Sequence, residues 1–190
     1  MITPGESYLP SRRNENAVEI DKKRRTDYVN SKFPTIIVSG FPGIGKTSLT
    51  QRFPRMFRDL ESSEYHWVKD NFGNRIVNPK WPDNYVEAIK NLSNCSLYLN
   101  VFVSSHQLIR EKMRAAGIRY TVVYPEDTPE MKKVMMERYE KGKRPESFIE
   151  LMDEHFSEYV KSMMEDRGAV SKVPLSPRAL NEWGTWCSYV

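Results

Sequence analysis

Cysteine is nearly absent: Cys95 and Cys187 are the only two in 190 residues, far apart and with no Cys or His beside them at metal-ligand spacing. That excludes a disulfide framework and a zinc site and leaves two ordinary thiols, buried or partly buried. Also missing is any apolar run near the roughly 20 residues that span a bilayer. The opening MITPGESYLPSRR has no signal-peptide core. The expectation is a soluble chain of the cytoplasm, the host's cytoplasm if the gene is viral, with no membrane partner. Charge of one sign is lacking too, since 29 basic against 25 acidic residues give +4, short of the field of a dedicated nucleic-acid binder. Phosphorylated small molecules fit that balance at least as well as DNA does. No internal repeat is visible, which argues against a solenoid.

What is present is a foldable composition, 39% hydrophobic and 12% aromatic, in a length suited to one domain and a modest appendage. Residues 1–32 hold polar side chains, prolines and the cluster Lys22-Lys23-Arg24-Arg25, diluted by Glu15, Glu19, Asp21 and Asp27. They read as a loosely ordered basic and polar arm. Residues 33–190 read as the folded domain.

The domain opens on the β-branched run Thr35-Ile36-Ile37-Val38-Ser39, a buried strand ending in a glycine-rich turn. A helix is expected from Gly45, stopped by Pro54, then a short strand over 56–60 and a polar, aromatic loop through Trp81. Further on, a helix from about Asp83, a strand over 97–103, a helix to Ala116 closed by Gly117 and a strand over 119–124 follow in turn. Thr128 and Pro129 mark an N-cap and first helical position, and a second helix starts at Pro145. That one carries an apolar stripe of Phe148, Met152, Phe156, Tyr159 and Met163 and ends by Gly168. A last edge strand is expected over 170–175, with a tail over 183–190. Alternating strands and helices predict βαβ units on a parallel sheet.

One motif carries chemistry. Gly40-Phe41-Pro42-Gly43-Ile44-Gly45-Lys46-Thr47 fits G-x-x-x-x-G-K-[ST] and sits between a predicted strand and a predicted helix. Glycines at those positions let successive backbone N–H groups turn inward and form an anion nest at a helix start. Gly40, Pro42, Gly43, Ile44, Gly45, Lys46, Thr47 and Ser48 are thus candidates for holding the phosphates of ATP. Lys46 supplies charge at the β- and γ-phosphates, and the Thr47 hydroxyl a ligand for Mg2+.

On this motif the chain resembles the P-loop nucleoside and nucleotide kinases, the group of adenylate kinase and shikimate kinase, and more closely the compact kinases common in phage genomes. The resemblance implies a three-layer α/β fold with a five-stranded parallel sheet, order 2-3-1-4-5, and a helical lid. It places an acidic pair at the end of the second strand, here Asp59 and Glu61. One of the two would organise Mg2+ and the other would take the acceptor's proton, with Asp59 the metal candidate alongside Thr47. It also implies an arginine-bearing lid over about 127–147, in which Arg138 and Arg144 clamp the transferring phosphoryl group. The third strand ends in Ser104-Ser105-His106, where many P-loop proteins hold a metal-organising aspartate. Either serine would then hold a metal-bound water or the phosphate loop, and His106 with Arg110 is a candidate for a substrate phosphate.

Between the second strand and the next helix, Tyr65, His66, Trp67, Phe72, Asn78, Trp81, Asn84 and Tyr85 mix flat rings with amides, suited to a base or to sealing the sheet. The expected activity is ATP- and Mg2+-dependent phosphoryl transfer to a nucleoside, nucleotide or related small molecule. Two alternatives stand beside it: a kinase of a hydroxymethylated base in DNA, like the phage enzymes acting on 5-hydroxymethyluracil, and a P-loop ATPase or nucleotide-binding switch.

Overall fold

The computed structural model describes residues 34–182, so the expected arm, Cys187 and the tail lie outside the described residues. The chain runs β1 (Ile36–Gly40), α1 (Lys46–Arg52), β2 (Phe57–Asp59), α2 (Ser63–His66), β3 (Trp67–Lys69), β4 (Arg75–Val77) and α3 (Asp83–Ser93). It continues through β5 (Asn100–Val103), α4 (Gln107–Ala115), β6 (Tyr120–Pro125), α5 (Pro129–Lys141), α6 (Glu146–Met164), β7 (Ser171–Leu175) and α7 (Pro177–Asn181).

Five strands form one parallel sheet in the order β2-β5-β1-β6-β7, flanked by helices. Numbering only that sheet's strands along the chain turns the order into 2-3-1-4-5. The central strands are buried on both faces, as a parallel sheet between helices requires: Ile37, Val38, Val101, Phe102, Val103, Val122 and Val123 are all within 1% of complete burial. With β1 in the middle, its carboxyl end opens among the ends of β2, β5 and β6, the place where open α/β sheets bind ligands.

Three expectations change. The aromatic loop before Trp81 contains α2 and the antiparallel hairpin β3–β4, with Trp67 opposite Val77. Its strands of three residues are too short to show alternation. The strand expected from Leu97 starts at Asn100, Leu97 itself being exposed. Finally, α6 ends at Met164, and a non-helical residue at His155 (φ −109°, ψ 16°) interrupts its winding. The buried stripe runs Met152, Phe156, Val160 and Met163, so Val160 takes the core position expected of Tyr159, which is 40% exposed.

The Thr128 cap is as expected: its side chain accepts from Met131 N–H at 3.2 Å and Pro129 opens α5. Met131, Met135 and Tyr139 bury one face of α5, which packs on α6.

Candidate functional site

The loop from β1 to α1 is pinned from below and shaped by its glycines. Phe41 and Ile44 are 1% exposed, Phe41 meets the Phe156 ring edge-on at 5.8 Å, and its N–H donates to the Val123 carbonyl at 2.9 Å. Ile44, expected among the nucleotide-holding residues, therefore contributes backbone and an anchor into the core. Gly43 and Gly45 have φ of +79° and +101°, conformations that cost a side-chain-bearing residue free energy. At Gly43 a Cβ would also lie 2.5 Å from Cε1 of Tyr139. The first intrahelical bond is Leu49 N–H to the Gly45 carbonyl at 3.0 Å, so the amides of Lys46, Thr47 and Ser48 have no intrahelical acceptor.

Lys46 folds back over this loop, its Nζ donating to the carbonyls of Gly40 (2.8 Å) and Phe41 (3.1 Å). Burial pulls its pKa below the ordinary lysine value, while the carboxylates of Asp59 and Glu61 work against that shift. Next to it, Thr47 Oγ1 donates to Oδ2 of Asp59 at 3.0 Å, tying the start of α1 to the end of β2. Glu61, two residues on, is exposed on the same cleft. The cleft holds about 610 Å3 and brings together Lys46, Thr47, Asp59, Glu61, Ser104, His106, Arg138 and Arg144. The acidic pair, the glycine-turned loop and both arginines, separated by more than a hundred residues, share one cavity.

Helix α5 is bonded to the loop. Arg138 Nε donates to the Gly43 carbonyl at 3.0 Å and Tyr139 Oη to the Pro42 carbonyl at 3.0 Å. Both bonds come from the segment expected as a lid, and Arg144 sits on the exposed turn between α5 and α6 with its guanidinium 5.7 Å from the Phe148 ring.

Two expectations fail on geometry. Arg110 does not face a ligand: it is 2% exposed, with Nε 2.6 Å from Asp166 Oδ2 and Nη2 bonded to the Ser162 carbonyl and hydroxyl. Its Nη1 donates to the Ser105 carbonyl. A buried guanidinium needs such partners, and with its fork filled it has none to offer a phosphate. The aromatic segment does not line the cleft either. His66 lies between Trp67 (4.5 Å) and Trp81 (4.7 Å), Trp81 stacks on Tyr85 (5.6 Å), and Arg75 covers Trp67. Asn78 and Asn84 both donate to the Tyr65 carbonyl, so these rings and amides pair with one another.

The serines at the end of β5 act locally. Ser39 Oγ donates to the Ser104 carbonyl at 3.0 Å, and Ser104 Oγ accepts from His106 N–H at 3.3 Å. His106 is drawn below the usual histidine pKa, first by desolvation and then by the charges of Arg110 and His66.

Sequence reasoning missed Tyr139, and it read Tyr85 as one more ring for a base or for sealing the sheet rather than as a bridge between strands. Tyr85 is fully buried, its Oη donating to the Leu60 carbonyl at 2.7 Å and accepting from Ser104 N–H at 3.0 Å. Each pairing joins residues at least 19 apart, and no local pattern signals it.

Among the described residues no three His, Cys, Asp or Glu gather as a metal cluster. The Thr47 hydroxyl beside the Asp59 carboxylate supplies two hard oxygens, which suits Mg2+, an ion that usually takes one or two protein ligands and completes its shell with water and substrate phosphates. No helix among the described residues is long and apolar enough to cross a membrane. No family model matches the chain, and no curated protein matches it.

Proposed function

We propose that this protein is an ATP-dependent phosphotransferase of the P-loop kinase type, passing the γ-phosphoryl group of MgATP to a hydroxyl on a nucleoside, nucleotide or related small molecule. The observation that carries the reading is the convergence in one cleft of the glycine-turned loop with Lys46, the Thr47–Asp59 pair, Glu61 and the two arginines.

The residues divide the work by position. The loop amides and Lys46 hold the β- and γ-phosphates, Lys46 exchanging its carbonyl partners for phosphate oxygens. Arg138, anchored at Nε, keeps its terminal nitrogens for the phosphoryl group, and one of them would lie 3.7 Å from a Cβ built on Gly45. Arg144 approaches from the turn. Thr47 and Asp59 would hold Mg2+, which supplies charge neutralisation at the phosphates. Glu61, free of that pair, orients the acceptor hydroxyl and takes its proton as the new P–O bond forms and the bond to ADP breaks. Preorganised cations around the departing group stabilise the charge that develops there.

A second reading, a hydroxymethylated base in DNA as acceptor, draws support from the hairpin: Phe72 at its tip is 91% exposed, beside Lys69 and the Arg75–Trp67 stack. The test is transfer of labelled γ-phosphate from ATP across nucleosides, nucleoside monophosphates and DNA carrying 5-hydroxymethyluracil. A labelled product other than free phosphate is the expected result. ATP hydrolysis alone would point to a nucleotide-hydrolysing protein instead.

A further inference from the structure

The β2 and β5 chains separate in an unusual way just past Asp59. In a parallel ladder, a residue whose N–H bonds one carbonyl passes its own carbonyl to the N–H two residues further along the partner. Leu60 N–H donates to the Phe102 carbonyl at 2.9 Å, so the next rung would run from Ser104 N–H to the Leu60 carbonyl. That rung is absent as a direct bond, because Tyr85 Oη is inserted between the two groups, accepting from the first and donating to the second. A phenol from α3 spends both of its hydrogen-bonding directions on the backbones of two strands. Burial, reinforced by the carboxylates of Asp59 and Glu61, pushes its pKa well up, so it keeps the proton that one of those bonds needs.

The spacer stands in place of a direct rung where the two chains enter the cleft. Beyond it, Glu61 and Ser62 follow on the β2 side of the cleft and Ser104 and Ser105 on the β5 side. These four residues offer a carboxylate and hydroxyls, the groups that bind alcohols, and carry no cation of their own. Over the whole cleft, Lys46, Arg138, Lys141 and Arg144 stand against Asp59 and Glu61. Two positive charges remain, which balance MgATP, itself of net charge about −2 with its phosphates ionised and Mg2+ bound. Among the described residues that line the cleft, no further positive charge is left for a phosphorylated acceptor, and the arginine that follows Ser105 most closely, Arg110, is consumed by Asp166.

We propose that Tyr85 is a positioning residue that holds open an acceptor subsite between Glu61–Ser62 and Ser104–Ser105, and that this subsite takes an uncharged hydroxyl-bearing group, a nucleoside in preference to its monophosphate. The inference rests on the kinase reading above and specifies its acceptor side.

The experiment compares the parent with Tyr85→Phe in the transfer assay, alongside MgATP binding and thermal melting. In the variant the direct Ser104–Leu60 rung can close, so the expected result is a rise of at least tenfold in acceptor KM. The MgATP dissociation constant should stay within twofold, and the melting temperature should fall by only about 2–4 °C, the scale of one lost hydrogen bond. Acceptor KM unchanged, or loss of transfer in step with loss of MgATP affinity, overturns the spacer role. Should Tyr85→Phe not fold, Ser62→Phe serves, since that half-buried side chain makes no capping bond. Filling the subsite from this side should abolish transfer while slow hydrolysis of MgATP continues, and undiminished transfer would overturn the subsite. A monophosphate used better than its nucleoside, or no transfer to any uncharged acceptor by a parent that binds MgATP, overturns the substrate class. A parent that does not bind MgATP at all would instead refute the phosphate-loop reading on which this rests.

Discussion

Arg138 and Gly43, 95 residues apart, are joined by a hydrogen bond of 3.0 Å from the guanidinium Nε to the Gly43 carbonyl in the loop before α1. That bond fixes the plane of the arginine fork, leaving its terminal nitrogens over the start of α1. A lysine there keeps the charge and loses the bond and the fork together. Arg138→Lys is therefore expected to lower turnover by about tenfold or more while MgATP affinity changes only a few-fold. Equal losses in both, measured by steady-state kinetics and calorimetry, would assign Arg138 to uniform nucleotide binding.

Gly43 faces two constraints at once, a left-handed φ and the Tyr139 ring. Gly43→Ala should cost about 1–3 kcal/mol from backbone strain and more from the clash, seen as a lower melting temperature. Adding Tyr139→Leu removes the clash and leaves the strain, so the double variant should recover stability in part. Full recovery would mean that φ costs nothing here.

Asp59→Asn keeps an oxygen able to accept from Thr47 and loses the charge. The magnesium concentration for half-maximal turnover should then rise by about ten- to a hundredfold, whereas Glu61→Gln should lower turnover without that shift. The reverse pattern would exchange the roles of the two carboxylates.

Away from the cleft, Arg110 and Asp166 form a pair with side chains 2% and 9% exposed. Breaking it by Asp166→Asn should cost about 3–5 kcal/mol. Burial by itself would raise the Asp166 pKa, but the bonds from Arg110, Gly168 N–H, Tyr120 and Ala169 N–H outweigh it and hold the pKa below the ordinary aspartate value. A carboxylate depressed in the folded state stabilises fully above its unfolded pKa, and that contribution is lost as pH falls through the lower folded one. The parent's melting temperature should therefore decline on acidification below about pH 4 more steeply than that of Asp166→Asn. Parallel curves would remove Asp166 from the acid response.

Legibility in the sequence followed the range of the interactions. The loop from Gly40 to Thr47 and the Thr128–Pro129 cap are local, with every essential residue within a few positions, and they stood out. The alternation of strand and helix predicted the parallel sheet because its central strands are buried runs such as Val101 to Val103. The hairpin was hidden by strands of three residues. Arg110 looked available because its partner Asp166 lies 56 positions on, and the aromatic segment looked like a ligand wall because rings that pack on one another have the same composition as rings that face a base. Tyr85 and Tyr139 bond to backbone groups, which carry no side-chain identity to read.

The central claim is that the loop around Lys46 holds ATP for phosphoryl transfer, and Lys46→Ala tests it most directly. Nζ bonds only carbonyls of its own loop, so the variant should fold, with its circular dichroism and melting temperature close to the parent's. Measured side by side with the parent for transfer of labelled γ-phosphate, it should lose at least about a hundredfold in turnover, the scale of removing one preorganised charge at a developing anion. A folded Lys46→Ala protein that transfers phosphate at the parent's rate would contradict the account.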